Sequence, residues 1–247
     1  MSLVEMKGIH KYFQAVHALR DVDFHVGDNE IVGLIGDNGA GKSTLIKILS
    51  GLFPPDGGEM YIRGQKIDPK RYSVKRAHSL GIETVFQEQA LGDLQPIWRN
   101  IFLGRQPTNA LGLLDVRKAR EEAHYVMTEL MRFTGAGMSV DAPVRHLSGG
   151  ERQGIAIGRA MYFDADLIIL DEPTRALSVK EVGKVLDFIS RIKEVGKSCV
   201  YISHTIIDVY NVSDRFVIMD RGEVVAERAR EDASEASLID LIRNTRT

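Results

Sequence analysis

Gly36, Asp37, Asn38, Gly39, Ala40, Gly41, Lys42 and Ser43 stand in the pattern G-x-x-x-x-G-K-[ST], and polyphosphate binding is the chemistry that pattern serves. The apolar run ending at Ile35 precedes them and a helix-like run follows, which is the context the pattern needs. In such a loop several backbone N–H groups, helped by the helix N-terminus, converge on one anion. Lys42 adds a point charge, Ser43 is placed to set its hydroxyl on Mg²⁺, and Thr44 is the next candidate phosphate contact. A second constellation is Asp171-Glu172-Pro173, which follows the apolar run Leu167-Ile-Ile-Leu170 without a break. Two carboxylates at the end of a buried strand are costly unless something cationic meets them. Mg²⁺ and an attacking water answer that need, with Asp171 holding the metal through water and Glu172 polarising the nucleophile. Read separately, the first feature is a glycine-rich turn and the second a solvated acidic pair. Together, each at the end of an apolar strand, they read as one hydrolytic site.

The elements that must position these groups are legible from hydrophobic spacing. Strand-length runs occur at Leu3 to Met6, Asp21 to Val26 and Glu30 to Ile35, and a helix from Lys42 to Ser50 is closed by Gly51 and Pro54-Pro55. From about 88 to 149 the pattern changes. Val116, Ala119, Ala123, Val126, Met127 and Leu130 fall on one helical face behind Asp115 as N-cap, so this stretch reads as a helical insertion. Beyond Pro143 helices over about 150–162 and 179–195 alternate with strands at Asp166 to Leu170, Ser198 to Ser203 and Arg215 to Met219. Alternation with near-continuous apolar strands predicts a parallel sheet covered on both faces. We therefore expect one domain over 1–247, with a core of about 1–87 and 150–225, the insertion between them, and a C-terminal helix or tail from about 226.

The bulk numbers bound what else the chain can be. At 247 residues, 44% hydrophobic and 27% charged, it has the composition of an ordinary globular domain. With 32 basic and 34 acidic residues the net charge is −2, so no global field draws in nucleic acid or an anionic membrane surface, although a local patch still could. Cys199, the single cysteine, sits in an apolar strand-like run; it suits a reducing compartment and a buried structural place. Met1 to His10 shows no signal-peptide pattern, and no apolar run approaches the roughly 18 to 20 residues a membrane span needs, so a membrane role is expected to run through a partner.

Between the two constellations lies Leu147-Ser148-Gly149-Gly150-Glu151, opening a helix. With it the sequence closely resembles the ATP-binding-cassette ATPases, over about residues 4 to 226; their signature is L-S-G-G-Q, from which Glu151 is a mild departure. The resemblance implies a P-loop NTPase (RecA-like) α/β core with a mainly parallel sheet, an N-terminal antiparallel β portion and a helical insertion subdomain. It implies ATP and Mg²⁺ as cofactors. Ser148, Gly149, Gly150 and Glu151 would then bind the γ-phosphate of a nucleotide held by a second cassette, which agrees with the physics of bare N–H groups at a helix N-terminus. Gln87 matches the glutamine that reaches Mg²⁺ and the attacking water, and His204 the switch histidine near the γ-phosphate. Phe13 matches the aromatic that stacks on adenine, with Tyr12 as an adjacent rival; the other histidines, such as His25 and His78, read as surface or structural residues. After the acidic pair such cassettes usually read S-A-L-D in a loop that crosses the dimer interface. Here the residues are Arg175-Ala-Leu-Ser178, so the carboxylate is missing and Arg175 is either an interface contact or a surface residue.

Within that family the stretches around Val85 to Leu91, Asn100 to Gly104, Ser148 to Gly154 and Ser203 to Thr205 look most like importers of monosaccharides. The implied partners are a second cassette, most simply another copy, integral membrane permease subunits, and indirectly a sugar-binding protein, with no nucleic acid. The implied place is the cytoplasmic face of the membrane, as a peripheral subunit. The alternative is a soluble cassette ATPase without transport. Its translation types usually carry two cassettes and a charged linker, its repair types a long coiled-coil insertion, and neither is present. A nucleotide-binding module that does not turn over would lack Glu172 or His204, and both are here.

Overall fold

A computed structural model describes residues 2–86, 91–133 and 139–244. The chain opens with β1 (Ser2–Phe13) and β2 (Val16–Gly27), paired antiparallel from Ser2 opposite Gly27 to Phe13 opposite Val16. Both are longer than the runs read from hydrophobicity, because bulges interrupt the two-residue alternation. Then come β3 (Ile31–Ile35), α1 (Lys42–Leu49), β4 (Gly57–Ile62), β5 (Gln65–Lys66), α2 (Val74–Ser79) and β6 (Ile82–Val85). The insertion supplies α3 (Ile97–Ile101) and α4 (Val116–Tyr125). The helical face expected from Val116 to Leu130 is α-helical only to Tyr125 and continues as a π turn over Val126–Leu130. After it follow α5 (Gly149–Tyr162), β7 (Leu167–Asp171), α6 (Val179–Glu194), β8 (Ser198–Ile202), α7 (Ile206–Val212), β9 (Arg215–Asp220), β10 (Glu223–Ala229) and α8 (Glu235–Asn244). Residues 226–229, grouped above with the tail, are thus the end of a strand.

Two sheets form: an antiparallel one in the order β2-β1-β4-β5, and a six-stranded one in the order β10-β9-β3-β8-β7-β6. In the second, β9, β3, β8, β7 and β6 run parallel, and β10 returns antiparallel along β9. Strand alternation divides the core. Val32, Leu34, Leu167, Ile169, Val200 and Ile202 face α1 and the antiparallel sheet, while Ile31, Ile35, Ile168, Leu170, Cys199 and Tyr201 face α5, α6 and the insertion. Both sets are buried to 1% exposure or less, as expected of parallel strands covered on both sides.

The register brings three strand ends level. Leu34 and Asp171 both pair with Ile202 of β8, so the residues after β3, β7 and β8 emerge along one edge. From there β3 leads into α1 on one face, whereas β7 and β8 lead into α6 and α7 on the other. A crevice outside the carboxyl ends of the strands, where the connections diverge, is where open α/β sheets bind ligands.

Candidate functional site

The loop after β3 folds tightly enough to need its glycines. A Cβ on Gly36 would lie 2.3 Å from the Met219 carbonyl oxygen. Gly41, at φ 102°, would place one 2.9 Å from Leu19 Cδ2 and 3.0 Å from the Ala18 carbonyl. Such a loop presses against β2 and β9, which leaves no room for side chains at these two positions. Lys42 starts α1, is only 6% exposed, and donates from Nζ to the carbonyls of Gly36 at 2.6 Å and Asp37 at 2.9 Å. Burial lowers the pKa of its ammonium, and the Glu172, Asp171 and Asp37 carboxylates act against that shift. The lysine is thus folded over its own loop beside the acidic pair, where an incoming phosphate would exchange carbonyl contacts for charged ones.

At the end of β7, burial and then the neighbouring Glu172 hold the Asp171 carboxyl above its ordinary range, partly offset by Lys47 and Lys42. Glu172 departs from the strand into a left-handed conformation, φ 50°, and its N–H donates to the Ile202 carbonyl at 3.0 Å. The backbone turn aims the side chain into the crevice, where it is 11% exposed. Its Oε1 lies 3.4 Å from His204 Nδ1, and its Oε2 accepts from Arg175 Nη1 at 3.2 Å. Behind this turn the Thr174 hydroxyl, itself buried, meets Tyr201 Oη at 3.0 Å and donates to Asp208 at 2.9 Å, anchoring the loop to β8 and α7.

One cleft of about 490 Å³ is lined by Asp37, Asn38, Gly39, Ala40, Gly41, Lys42, Ser43, Thr44 and Glu172. Gly36 is joined to it through Lys42, and Asp171 and His204 through Glu172. Residues that the sequence reading missed complete its walls: Val16, His17, Ala18 and Arg20 from β2, and Arg221 from the β9–β10 turn. They arrive by tertiary pairing, since the Arg20 N–H donates to the Gly222 carbonyl at 2.8 Å and the Gly222 N–H to that of Ala40 at 3.0 Å. No local pattern announces them. Phe13 is not among the lining residues; its ring packs edge-on against Phe53, centroids 5.6 Å apart. Tyr12 instead stacks on the cleft residue His17 at 4.1 Å, and so lies nearer the lining. Gln87 falls outside the described residues.

Ser148 to Glu151 form a separate element and do not line this cleft. Ser148 caps α5: its Oγ accepts from the Glu151 N–H at 3.3 Å, while the Glu151 carboxylate accepts from the Ser148 N–H at 2.9 Å. Glu151 also pairs with Lys184 at 3.3 Å. The Gly150 N–H points to Glu181 Oε1 at 3.4 Å, and the other oxygen of Glu181 takes the Ser178 hydroxyl at 2.7 Å. These contacts, led by the Ser178 hydroxyl and N–H, hold the Glu181 carboxyl down at about 2. The helix N-terminus does attract an anion, and in the single chain that anion is a carboxylate from α6.

Residues 19–175 match the ABC transporter family. The chain is 42% identical over 241 residues to the xylose/arabinose import ATP-binding protein of Sulfolobus acidocaldarius, covering 97% of this chain and 93% of that one. It is 34% identical over 241 residues to the ribose import ATP-binding protein of Caldanaerobacter subterraneus subsp. tengcongensis, covering 98% of this chain but 47% of that longer one. Among solved structures it superposes on a dimeric post-hydrolysis state of an ATP-binding cassette bound to ADP and Pi, at TM-score 0.76 and 26% identity over 92% of this chain and 98% of that one. The shared family, together with the phosphate loop and acidic pair on one crevice, identifies the chain as a member of the ABC transporter family and an ATPase.

Proposed function

We propose that this ATPase powers a monosaccharide importer, with Mg-ATP seated in the cleft over Gly36 to Thr44 and Glu172 as the general base. The observation that carries the reading is the convergence of Lys42, Asp171, Glu172 and His204 at the level ends of β3, β7 and β8. The donor set fits Mg²⁺. Mg²⁺ is held by one or two carboxylates plus substrate phosphates rather than by a cage of protein ligands, and Asp171, at the end of β7 beside Lys42 and Glu172, offers one such carboxylate. Ser43, Asp171 and Gln87 would hold the ion, which supplies charge neutralisation on the phosphates when bound. Asp171 would face the ion from its buried place at the end of β7, Glu172 takes a proton from the attacking water, and Lys42 and the loop N–H groups hold the transferred phosphoryl group.

The import reading draws on the sugar-importer names of the relatives and on a site that is half built. Ser148 to Glu151 have no place at their own chain's cleft, so we assign them to the nucleotide of a second copy. The insertion gives a surface for membrane subunits. Leu94, Leu103, Leu111 and Leu113 are 53% to 83% exposed, beside a cavity of about 570 Å³ lined by Trp98, Leu103 and Leu114. Single exposed leucines need no explanation, but several in one insertion, with a cavity whose apolar lining is Trp98, Leu103 and Leu114, suit a docked helix of a permease. Among the described residues no helix is long and apolar enough to cross a membrane, so the pore would come from those subunits. Reconstitution in vesicles tests the reading. Co-expressed permease subunits should raise ATP turnover and make it respond to a sugar and its binding protein; ATP turnover unchanged by any sugar, in a complex that forms, would contradict it.

A further inference from the structure

Arg175 stands where such cassettes carry a small residue, and the structure gives it a partner: Nη1 lies 3.2 Å from Glu172 Oε2. The contact closes a turn, because the Arg175 N–H also donates to the Glu172 carbonyl at 3.2 Å. We propose that Arg175 is a latch on Glu172, holding the carboxylate in an intrachain ion pair that must open before Glu172 can serve the attacking water. The inference rests on the reading of Glu172 as the general base.

Three features separate a latch from a positioning contact. Orientation of Glu172 is already supplied elsewhere: the Ile202 carbonyl takes its N–H at 3.0 Å and His204 lies 3.4 Å from Oε1. What Arg175 adds is a cation on Oε2, in competition with any water that would donate there. The contact is also weak enough to open. It uses one nitrogen rather than a bidentate fork, it is longer than a good charge-assisted hydrogen bond, and the Arg175 side chain is 55% exposed. Lastly, the segment carrying it is strained at both ends, with Glu172 at φ 50° and Ala176 at φ 59°, neither a glycine. Non-glycine residues in this region persist where surrounding structure over-determines them, and they gather in segments that switch. Here the anchors are Thr174 on one side and the Ser178 to Glu181 capping box on the other, and Arg175 and Ala176 are the exposed residues between them.

Steady-state ATPase kinetics of the whole chain test this with four variants. Arg175→Ala should raise kcat about two- to five-fold, the upper part of what an exposed ion pair carries, with KM for ATP unchanged. Arg175→Lys, which keeps the charge, should stay within a factor of two of the parent. Glu172→Gln should be nearly inactive, and Arg175→Ala in that background should gain nothing. A folded Arg175→Ala protein whose kcat is equal to or below the parent's, with Glu172→Gln inactive, overturns the latch and leaves the base assignment standing. An active Glu172→Gln protein overturns the base assignment, and the latch with it. A merely structural role for Arg175 would lower the thermal midpoint and kcat together, which is also a result against the proposal.

Discussion

Lys42 shows at the residue scale how the loop holds its one buried cation. Its ammonium is buried against two backbone carbonyls, neutral acceptors that do not match its charge as phosphate oxygens would. A charged hydrogen bond is worth about 1.5 to 3 kcal/mol, so Lys42→Ala should weaken ATP binding by roughly 10- to 100-fold. The fold should survive, because the loop is also held by the Gly222 N–H on the Ala40 carbonyl and by Ala40 buried in the core. Equilibrium binding of a fluorescent ATP analogue with a circular-dichroism melt checks both halves, and unchanged affinity would remove the phosphate-loop assignment. Glu172 was found from its sequence context alone, a carboxylate pair ending an apolar strand. Its neighbours His17, Arg20 and Arg221 were not, since nothing near them in sequence reports that β2 and the β9–β10 turn close over the loop. Arg175 lay between: the departure was visible, but which atom it touched was a matter of turn geometry.

Among elements, the junction of α5 and α6 does the joining. Both helices start with a serine and carry a glutamate three residues on, and both capping boxes form. Glu181 goes further, reaching from the second helix to the Gly150 N–H of the first. Ser178, which cannot supply the missing carboxylate itself, keeps the helix cap through this glutamate. The sign of the pH effect follows from the depressed carboxyl. The ionised Glu181 stabilises the fold above the ordinary glutamate value near 4.3, and that contribution is lost as pH falls towards about 2. Glu181→Gln should therefore flatten the fall in unfolding stability between about pH 4 and pH 2, measured by urea denaturation at each pH. An unchanged slope would mean that the carboxylate is not held at the helix end. The parallel strands were legible as short apolar runs because they are buried on both faces. The full length of β1 and β2 was hidden by bulges, and the end of α4 by a π turn that keeps the helical apolar spacing without the α ladder.

On the scale of the whole molecule, one sheet with connections diverging to both faces sets the phosphate loop, the acidic pair and the histidine along one edge, while the signature residues stand apart. That separation is the reason for expecting two copies to share their nucleotides, and it was legible in the sequence only through resemblance, since spacing along a chain does not say which cleft a residue faces. In the proposed mechanism Glu172 performs the chemistry once ATP is bound. The direct measurement is the rate of ATP hydrolysis by Glu172→Gln at saturating Mg-ATP, with bound nucleotide determined in the same sample. The amide keeps the size and hydrogen-bonding shape of the side chain and removes its basic charge. Nucleotide should stay bound while hydrolysis slows by roughly 10²-fold or more, the range of general-base loss. Hydrolysis at the parent rate with nucleotide bound would place the catalytic carboxylate elsewhere and contradict the mechanism.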